Sequence, residues 1–401
     1  MQVIKGSITA PQGFLAMGVY AEIKKEDKKD LAVIYSEKPC RAAGAFTTNV
    51  VRAACVDISK EHLADKTAQA IVVNSGNANA CTGVKGEKDT IAMAKLTADL
   101  LGLQSTDIIV ASTGIIGVNM PMNNIKLGIK NAVANLSTTG ANCAAQAILT
   151  TDLRTKEIAV EINLQGTPVR IGAIAKGSGM IHPNMATMLA FITTDVAIDS
   201  NCLQKLLKSS VDSSYNLISV DRDTSTNDMA IVLANGMAGN ELIVDENSED
   251  YRLLAEAFDY INIHLAKMIA RDGEGATRLI EVRVINALDY KSARTIARSI
   301  TSSNLTKAAV FGEDANWGRI LAAAGYSGAE FDPTRVDIYL GAEKMAENGM
   351  GLLFDEDKAR AELQQDTVVI TVDMKAGDCE AIAWGCDLSY DYVRINAAYR
   401  S

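Results

Sequence analysis

Ala175-Lys176-Gly177-Ser178-Gly179-Met180-Ile181-His182-Pro183-Asn184-Met185-Ala186-Thr187-Met188-Leu189 is the run around which the rest of this chain is arranged. Leading into it, Val169 to Lys176 alternates apolar and small or polar residues and predicts a strand. Gly177 and Gly179 break that strand, and Pro183 and Asn184 add turn chemistry. Met188 to Thr194 is rich enough in β-branched and aromatic residues to predict a second strand. Thr187 thus stands at the mouth of a buried strand, directly after a loop able to place Lys176 beside it. From the residues alone the run reads as a hairpin connection. Its Gly-x-Gly also suggests a phosphate cradle, but without a third Gly and a following helix that signal is weak.

Composition narrows the partners. The chain has 401 residues, 48% hydrophobic and 22% charged, as expected of a globular protein with a sizeable core. A net charge of −10 and aromatics at only 5% argue against nucleic acid and against anionic membranes. Seven cysteines (Cys40, Cys55, Cys81, Cys143, Cys202, Cys379, Cys386) form an odd, widely spaced set. They read as reduced thiols and not as a disulfide frame or zinc site. With His62, His182 and His264 the only histidines, a His-based triad has little material. No run approaches a membrane span and the N-terminus lacks a signal-peptide core, which predicts a soluble, cytoplasmic protein.

Along the chain, short apolar strands interleave with helices. Ala70 to Val73 and Ile108 to Ala111 predict buried strands that end in the polar turns Asn74 to Ala80 and Ser112 to Gly117. Helical periodicity covers Glu87 to Leu101, Ile125 to Leu136, Asn201 to Leu217 and Ser248 to Ala270. The charged patch Lys24 to Asp30 reads as a solvated hairpin tip. Asp221-Arg222-Asp223-Thr224-Ser225-Thr226-Asn227-Asp228 has no EF-hand spacing and reads as a hydrogen-bonded turn. Glu274, between two glycines, reads as a loop charge. There is no internal repeat and no Pro/Ser-rich linker, so one interwoven unit is expected.

Lys176 to Ile181, followed by Pro183-Asn184-Met185-Ala186-Thr187-Met188-Leu189, resembles the self-cleavage site of the ornithine acetyltransferase (glutamate N-acetyltransferase) family. Further stretches resemble that family in the same order: Phe46-Thr47-Thr48-Asn49, Asn74 to Ala80, Ser112 to Gly117, Thr150-Thr151-Asp152, Asp221 to Asp228, Arg271 to Thr277, Gly312 to Ile320 and Tyr392 to Ser401. No single motif identifies the family; the ordered set does. One departure is Arg222, which stands where the family usually has Gly.

The resemblance implies an α/β fold with two stacked mixed β-sheets between helix layers, N-terminal-nucleophile-like but of distinct topology. It implies self-cleavage between Ala186 and Thr187, giving an alpha chain (1–186) and a beta chain (187–401) interwoven in one folded unit and associated as a heterotetramer of two alpha and two beta. Freed as an N-terminus, Thr187 has its own α-amine, with a reference pKa of about 8, to take the proton from its hydroxyl. By resemblance Thr113 and Gly114 form the oxyanion hole. Substrate contacts fall to Lys176, Thr187, Glu274, Asn396, Ser401 and one of Thr150 and Thr151. Ser401 replaces the family's common final Thr. The implied reaction is a ping-pong transfer of acetyl from N-acetyl-L-ornithine to L-glutamate, with no metal or cofactor. Acetyl-CoA as a second acetyl donor is left open. Glu274 and Lys176 are the carboxylate and cation offered to substrates whose side chains end in opposite charges. His182 reads as a loop residue, since the N-terminal amine already supplies a base. The alternatives are a related N-terminal-nucleophile aminopeptidase or amidohydrolase, and a binding protein that keeps the 186–187 bond intact.

Overall fold

The alternating run ahead of Gly177 forms a strand from Thr167 to Lys176, and the run after Met188 forms one from Leu189 to Thr194. They pair antiparallel from Lys176↔Leu189 to Ile171↔Thr194, so the expected hairpin is present. A computed structural model describes residues 1–24, 28–182 and 188–398. Ala186, Thr187 and Ser401 lie outside the described residues.

The described strands are β1 (Gln2–Ile4), β2 (Phe14–Val19), β3 (Leu31–Phe46), β4 (Thr67–Asn77), β5 (Ile108–Ile115), β6 (Lys156–Leu164), β7 (Thr167–Lys176), β8 (Leu189–Thr194), β9 (Ile218–Ser219), β10 (Met229–Ala234), β11 (Leu279–Ala287), β12 (Asp337–Leu340), β13 (Glu343–Glu347), β14 (Met350–Gly351), β15 (Thr367–Asp373) and β16 (Cys379–Cys386). The first sheet runs β1-β6-β7-β8-β10-β3-β4-β5, with β2 also on β3; the second runs β14-β13-β12-β15-β11-β16-β9. Both are mixed: β8 and β10 are parallel, as are β4 and β5, β11 and β15, and β16 and β9. In the first sheet β8 and β10, which follow residue 187, sit between β7 and β3, which precede it.

The central strands bury both faces, which is why their sequences read as apolar runs. Ala190 and Ile192 of β8, with Ala230 and Val232 of β10, face one core. Leu189 and Phe191, with Met229, Ile231 and Leu233, face the other. The helix Glu249–Arg271 joins the sheets, packing on β6 and β7 of one and on β11 and β16 of the other. The Ser248 hydroxyl caps its start by accepting from the Tyr251 amide, and Leu254, Phe258, Ile261 and Leu265 are buried along its stripe. Outside the sheets, the helices Ala54–His62 and Gly83–Leu101 cover β5, and Tyr290–Ser302 covers β11 and β16. The fold is thus the expected α/β arrangement of two mixed sheets with helices.

One local reading changes, and one element is new. The patch from Lys24 to Asp30 is not simply a solvated tip: Asp30 is fully buried and its carboxylate accepts the backbone N–H groups of Ala21, Ile23 and Lys24. Lys24 turns inward and donates to the carbonyl of Leu149 at 2.7 Å. The C-terminal stretch, where fraying is the ordinary outcome, forms a helix from Tyr390 to Ala398.

Candidate active site

Beside the β7–β8 connection lies a cavity of about 140 Å³. Its lining includes Thr113 and Gly114 from the end of β5, Thr150 and Thr151, Lys176 from the last position of β7, Glu274, and Asn396 from the C-terminal helix. Every described residue named as a site candidate from the sequence therefore meets here. Met188, which directly follows the candidate nucleophile Thr187, lines the same cavity.

Lys176 is buried and donates to Thr150 Oγ1 at 2.8 Å and to Thr113 Oγ1 at 3.4 Å. Both hydroxyls act as acceptors toward the lysine, so each keeps its own hydrogen to donate elsewhere. Thr150 rather than Thr151 is the one tied to Lys176. Gly114 has φ 134°, and a Cβ there would lie 2.3 Å from the carbonyl carbon of Gly76. The parallel ends of β4 and β5 approach too closely for any other residue.

Buried ion pairs hold these groups in place. Asp152 Oδ1 accepts from Lys156 Nζ at 2.7 Å and from the Gly177 amide at 2.7 Å, while Oδ2 accepts from the Thr150 amide at 3.0 Å. Asp152 thus locks the end of β7 to the Thr150 loop. Burial alone would raise its pKa, but the charges of Lys176 and Lys156 outweigh that and hold the carboxyl well below the usual range. Lys156 is fully buried and also donates to Asp272 Oδ2 at 2.6 Å. The Asp272 carbonyl accepts from the Ser178 hydroxyl at 2.7 Å, and the Ser178 carbonyl accepts from the Glu274 amide at 3.1 Å. One chain of contacts therefore runs from the Thr150 loop to Glu274.

Glu274 sits on another wall, with Oε2 accepting from Asn396 Nδ2 at 2.8 Å. A Cβ on Gly179 would stand 2.4 Å from this carboxylate, so glycine there gives Glu274 its room. Glu274 and Lys176 line one cavity but form no ion pair among the described residues. The site presents a carboxylate and a cation separately, an arrangement suited to a ligand with an amine and a carboxylate of its own.

Three lining residues with polar side chains were not singled out as site candidates: Ser225, Asn227 and Asp228. They come from the stretch read as a hydrogen-bonded turn, in which the Asp223 amide donates to Asp221 Oδ1 at 3.2 Å and the Ser225 hydroxyl to Asn227 Oδ1 at 2.6 Å; Asp221 also accepts the amides of Met180 at 2.6 Å and Ile181 at 2.9 Å. At its far end the Met229 amide donates to the Met188 carbonyl at 3.0 Å, which brings Asp228 alongside the start of β8. Asp228 is buried, and its Oδ2 has no partner among the described residues. Burial pushes its pKa well above the ordinary carboxylate value, against the opposing pull of Ser225 and Lys176. Its only sequence signal was an acid immediately before a buried strand. No group of residues suited to hold a metal occurs among the described residues.

His182 faces a second, larger cavity, next to Arg298 and Arg222. Burial, then Arg298 and Arg222, lowers its pKa to about 4, so near pH 7 it is a neutral and weak base. Arg222 has φ 72°, the left-handed region that glycine adopts freely; this is the backbone conformation behind the family's usual Gly.

A protein named arginine biosynthesis bifunctional protein ArgJ, from Symbiobacterium thermophilum, is 54% identical to this chain over 403 residues, with 100% of both covered. One of the same name from Caldanaerobacter subterraneus subsp. tengcongensis is 52% identical over 405 residues, again with 100% of both covered. Among solved structures, that of arginine biosynthesis bifunctional protein argJ from Bacillus halodurans is 46% identical, with a TM-score of 0.52, covering 53% of this chain and 100% of that one. The ArgJ family model matches residues 15–401, a span that contains every residue of the cavity, and the chain belongs to that family.

Proposed function

We propose that this chain is an acetyltransferase of arginine biosynthesis that moves the acetyl group of N-acetyl-L-ornithine to L-glutamate through an acetyl-Thr187 ester. The observation that carries this reading is convergence. Thr113, Gly114, Thr150, Thr151, Lys176, Glu274 and Asn396, far apart in sequence, line one small cavity at residue 188. The names of the relatives favour a transferase over an aminopeptidase or amidohydrolase.

The steps follow from the residue types. The Thr187 hydroxyl first attacks the Ala186 carbonyl; the peptide C–N bond breaks and water opens the resulting ester. Cleavage leaves Ala186 as a carboxylate and Thr187 with a free amine. That amine then accepts the hydroxyl proton as Oγ attacks the acetyl carbonyl, and the proton passes on to the departing ornithine nitrogen. Thr113 and Gly114 donate to the oxyanion, and the hydroxyl hydrogen that Lys176 leaves free on Thr113 suits that task. Glutamate enters, its amine attacks the ester, and N-acetyl-L-glutamate leaves. Glu274 with Asn396, and Lys176 with Thr150, hold the amino-acid skeleton; Ser401 is proposed to close the same site. No metal or cofactor enters this scheme, and acetyl-CoA is the second donor that suits the relatives' bifunctional name.

The Bacillus halodurans chain, whose whole length corresponds to 53% of this one, is close in length to the piece 187–401, which holds 215 of the 401 residues (401 − 186). That match supports maturation into two chains; their assembly as two alpha and two beta is part of the proposal and rests on the family resemblance alone. The test is to incubate the enzyme with N-acetylornithine and no glutamate, then weigh the C-terminal piece. It should gain one acetyl group and lose it when glutamate is added. Ornithine release with no acetylated protein at any time would refute the ester intermediate.

A further inference from the structure

The larger cavity, about 690 Å³, shares a wall with the acyl site. Ile181 lines the small cavity and His182 the large one; Ser225 lines the small one and Thr224 the large one. Ile181 and Thr224 form a β-bridge, so the two cavities adjoin one paired segment.

Its lining carries four cations, Arg222, Lys291, Arg294 and Arg298, and no Asp or Glu. On a chain of net charge −10 that is a marked local reversal. Most of the lining comes from one face of the helix Tyr290–Ser302, at positions 290–291, 294–295, 298–299 and 302. The opposite face, Ala293, Ile296, Ala297 and Ile300, is buried in the core, so the basic face is held rigidly toward the cavity. Asp212, outside the lining, is 3.9 Å from Arg294, too far for a hydrogen bond. The Arg294 Nε is itself buried without a partner among the described residues. Arg222 adds its guanidinium from a backbone with φ 72°, a conformation that side-chain-bearing residues rarely adopt.

A solvated helix face is the ordinary setting for such charges, but a solvated face is convex and intersperses both signs. Here the cations converge in a hollow. Guanidinium forks match phosphate oxygens in pairs. Tyr290 and Tyr326, 47% and 61% exposed, stand at the same cavity and offer aromatic faces to a planar base. Thr224, Thr295 and Ser299 supply neutral donors.

We propose that this cavity is a binding site for a phosphorylated nucleotide, with phosphates on Arg222, Arg294 and Arg298 and the base against the tyrosines. The ligand is either the nucleotide end of an acyl thioester, with its acyl end in the adjoining site, or a free nucleotide acting through the paired segment Ile181–Thr224. The first case rests on the acyl-transfer reading; the second does not.

Calorimetry with adenosine 3′,5′-bisphosphate tests the site on the purified enzyme, with pyrophosphate as control. Arg222→Gly removes a guanidinium and relieves the backbone, so it folds; Arg294→Gln is the second variant. The bisphosphate should bind wild type, and each substitution should weaken it by about tenfold. Absent binding, binding unchanged in both variants, or pyrophosphate binding as tightly would overturn the proposal. Two assays separate the sources. If the variants raise KM for acetyl-CoA by a similar factor, while transfer from N-acetylornithine stays within about twofold, the ligand is the donor's nucleotide end. If the bisphosphate instead changes the rate of N-acetylornithine transfer, it is a free nucleotide. Binding that alters neither reaction also overturns the site. A wild type with no N-acetylornithine-dependent transfer would sink the acyl-transfer reading and leave the calorimetric result standing.

Discussion

Thr113 accepts from Lys176 at 3.4 Å and lines the smaller cavity, a position from which its hydroxyl can serve a developing negative charge. Thr113→Ala should lower kcat by roughly 10²–10³-fold, about 3–4 kcal/mol, with KM nearly unchanged. Steady-state kinetics decides it, and a raised KM at normal kcat would make Thr113 a binding residue. Asp228 gives a prediction about pH. Burial raises its pKa in the fold, so the folded state holds a proton that the unfolded chain releases above about pH 3.9. The penalty for this group therefore grows as pH rises from there toward its native pKa. Asp228→Asn should be the more stable protein by about 1–3 kcal/mol near neutrality, with the gap closing toward pH 4 in thermal melts. A gap independent of pH would show that Asp228 does not titrate in that range. Asp228 was not legible because its neighbours spell a turn, and nothing local says that the turn ends inside a cavity. Thr113, Glu274 and Asn396 were legible only by resemblance, since each alone reads as a turn, loop or terminal residue.

Elements carry the site through their ends. β5 carries Thr113 and Gly114 in its last three residues, β7 ends at Lys176, and the helix Glu249–Arg271 ends just before Asp272 and Glu274. Periodicity found these elements because each has an apolar stripe or run; the helix it predicts from Glu87 to Leu101 runs from Gly83 to Leu101 and stops at Gly102, where φ is 70°. The ion pairs between element ends were hidden, because Asp152, Lys156 and Asp272 touch only after three segments meet. The buried Asp30 was hidden for a related reason: its partners are backbone amides, which sequence patterns do not display. Asp152→Asn would leave Lys156 buried with one counter-charge removed and should destabilise by about 3–5 kcal/mol at pH 7. Asp152 has a depressed native pKa, so its contribution is present above about pH 3.9 and fades as pH falls below it. Denaturant unfolding at pH 7 and at pH 3 should show the difference from wild type shrinking at the lower pH. Equal differences would mean that Asp152 acts through shape and not charge.

Across the whole molecule, the first sheet is built from both sides of the 186–187 bond. β8 and β10 lie between β7 and β3, with the Lys176↔Leu189 and Met229↔Phe46 pairings at the two junctions. Two pieces cut at this bond would still share one sheet and its two cores, and separating them would expose both. The layering itself was not legible from periodicity, because long-range strand order leaves no local trace. The central claim is that Thr187 is a nucleophile made by cleavage of its own chain, and mass spectrometry of the purified, denatured protein tests it most directly. The wild type should give two polypeptides, 1–186 and 187–401, that co-elute as one species before denaturation, and Thr187→Ala should give a single chain of 401 residues. A wild type that transfers acetyl groups at full rate as one uncut chain would contradict the account.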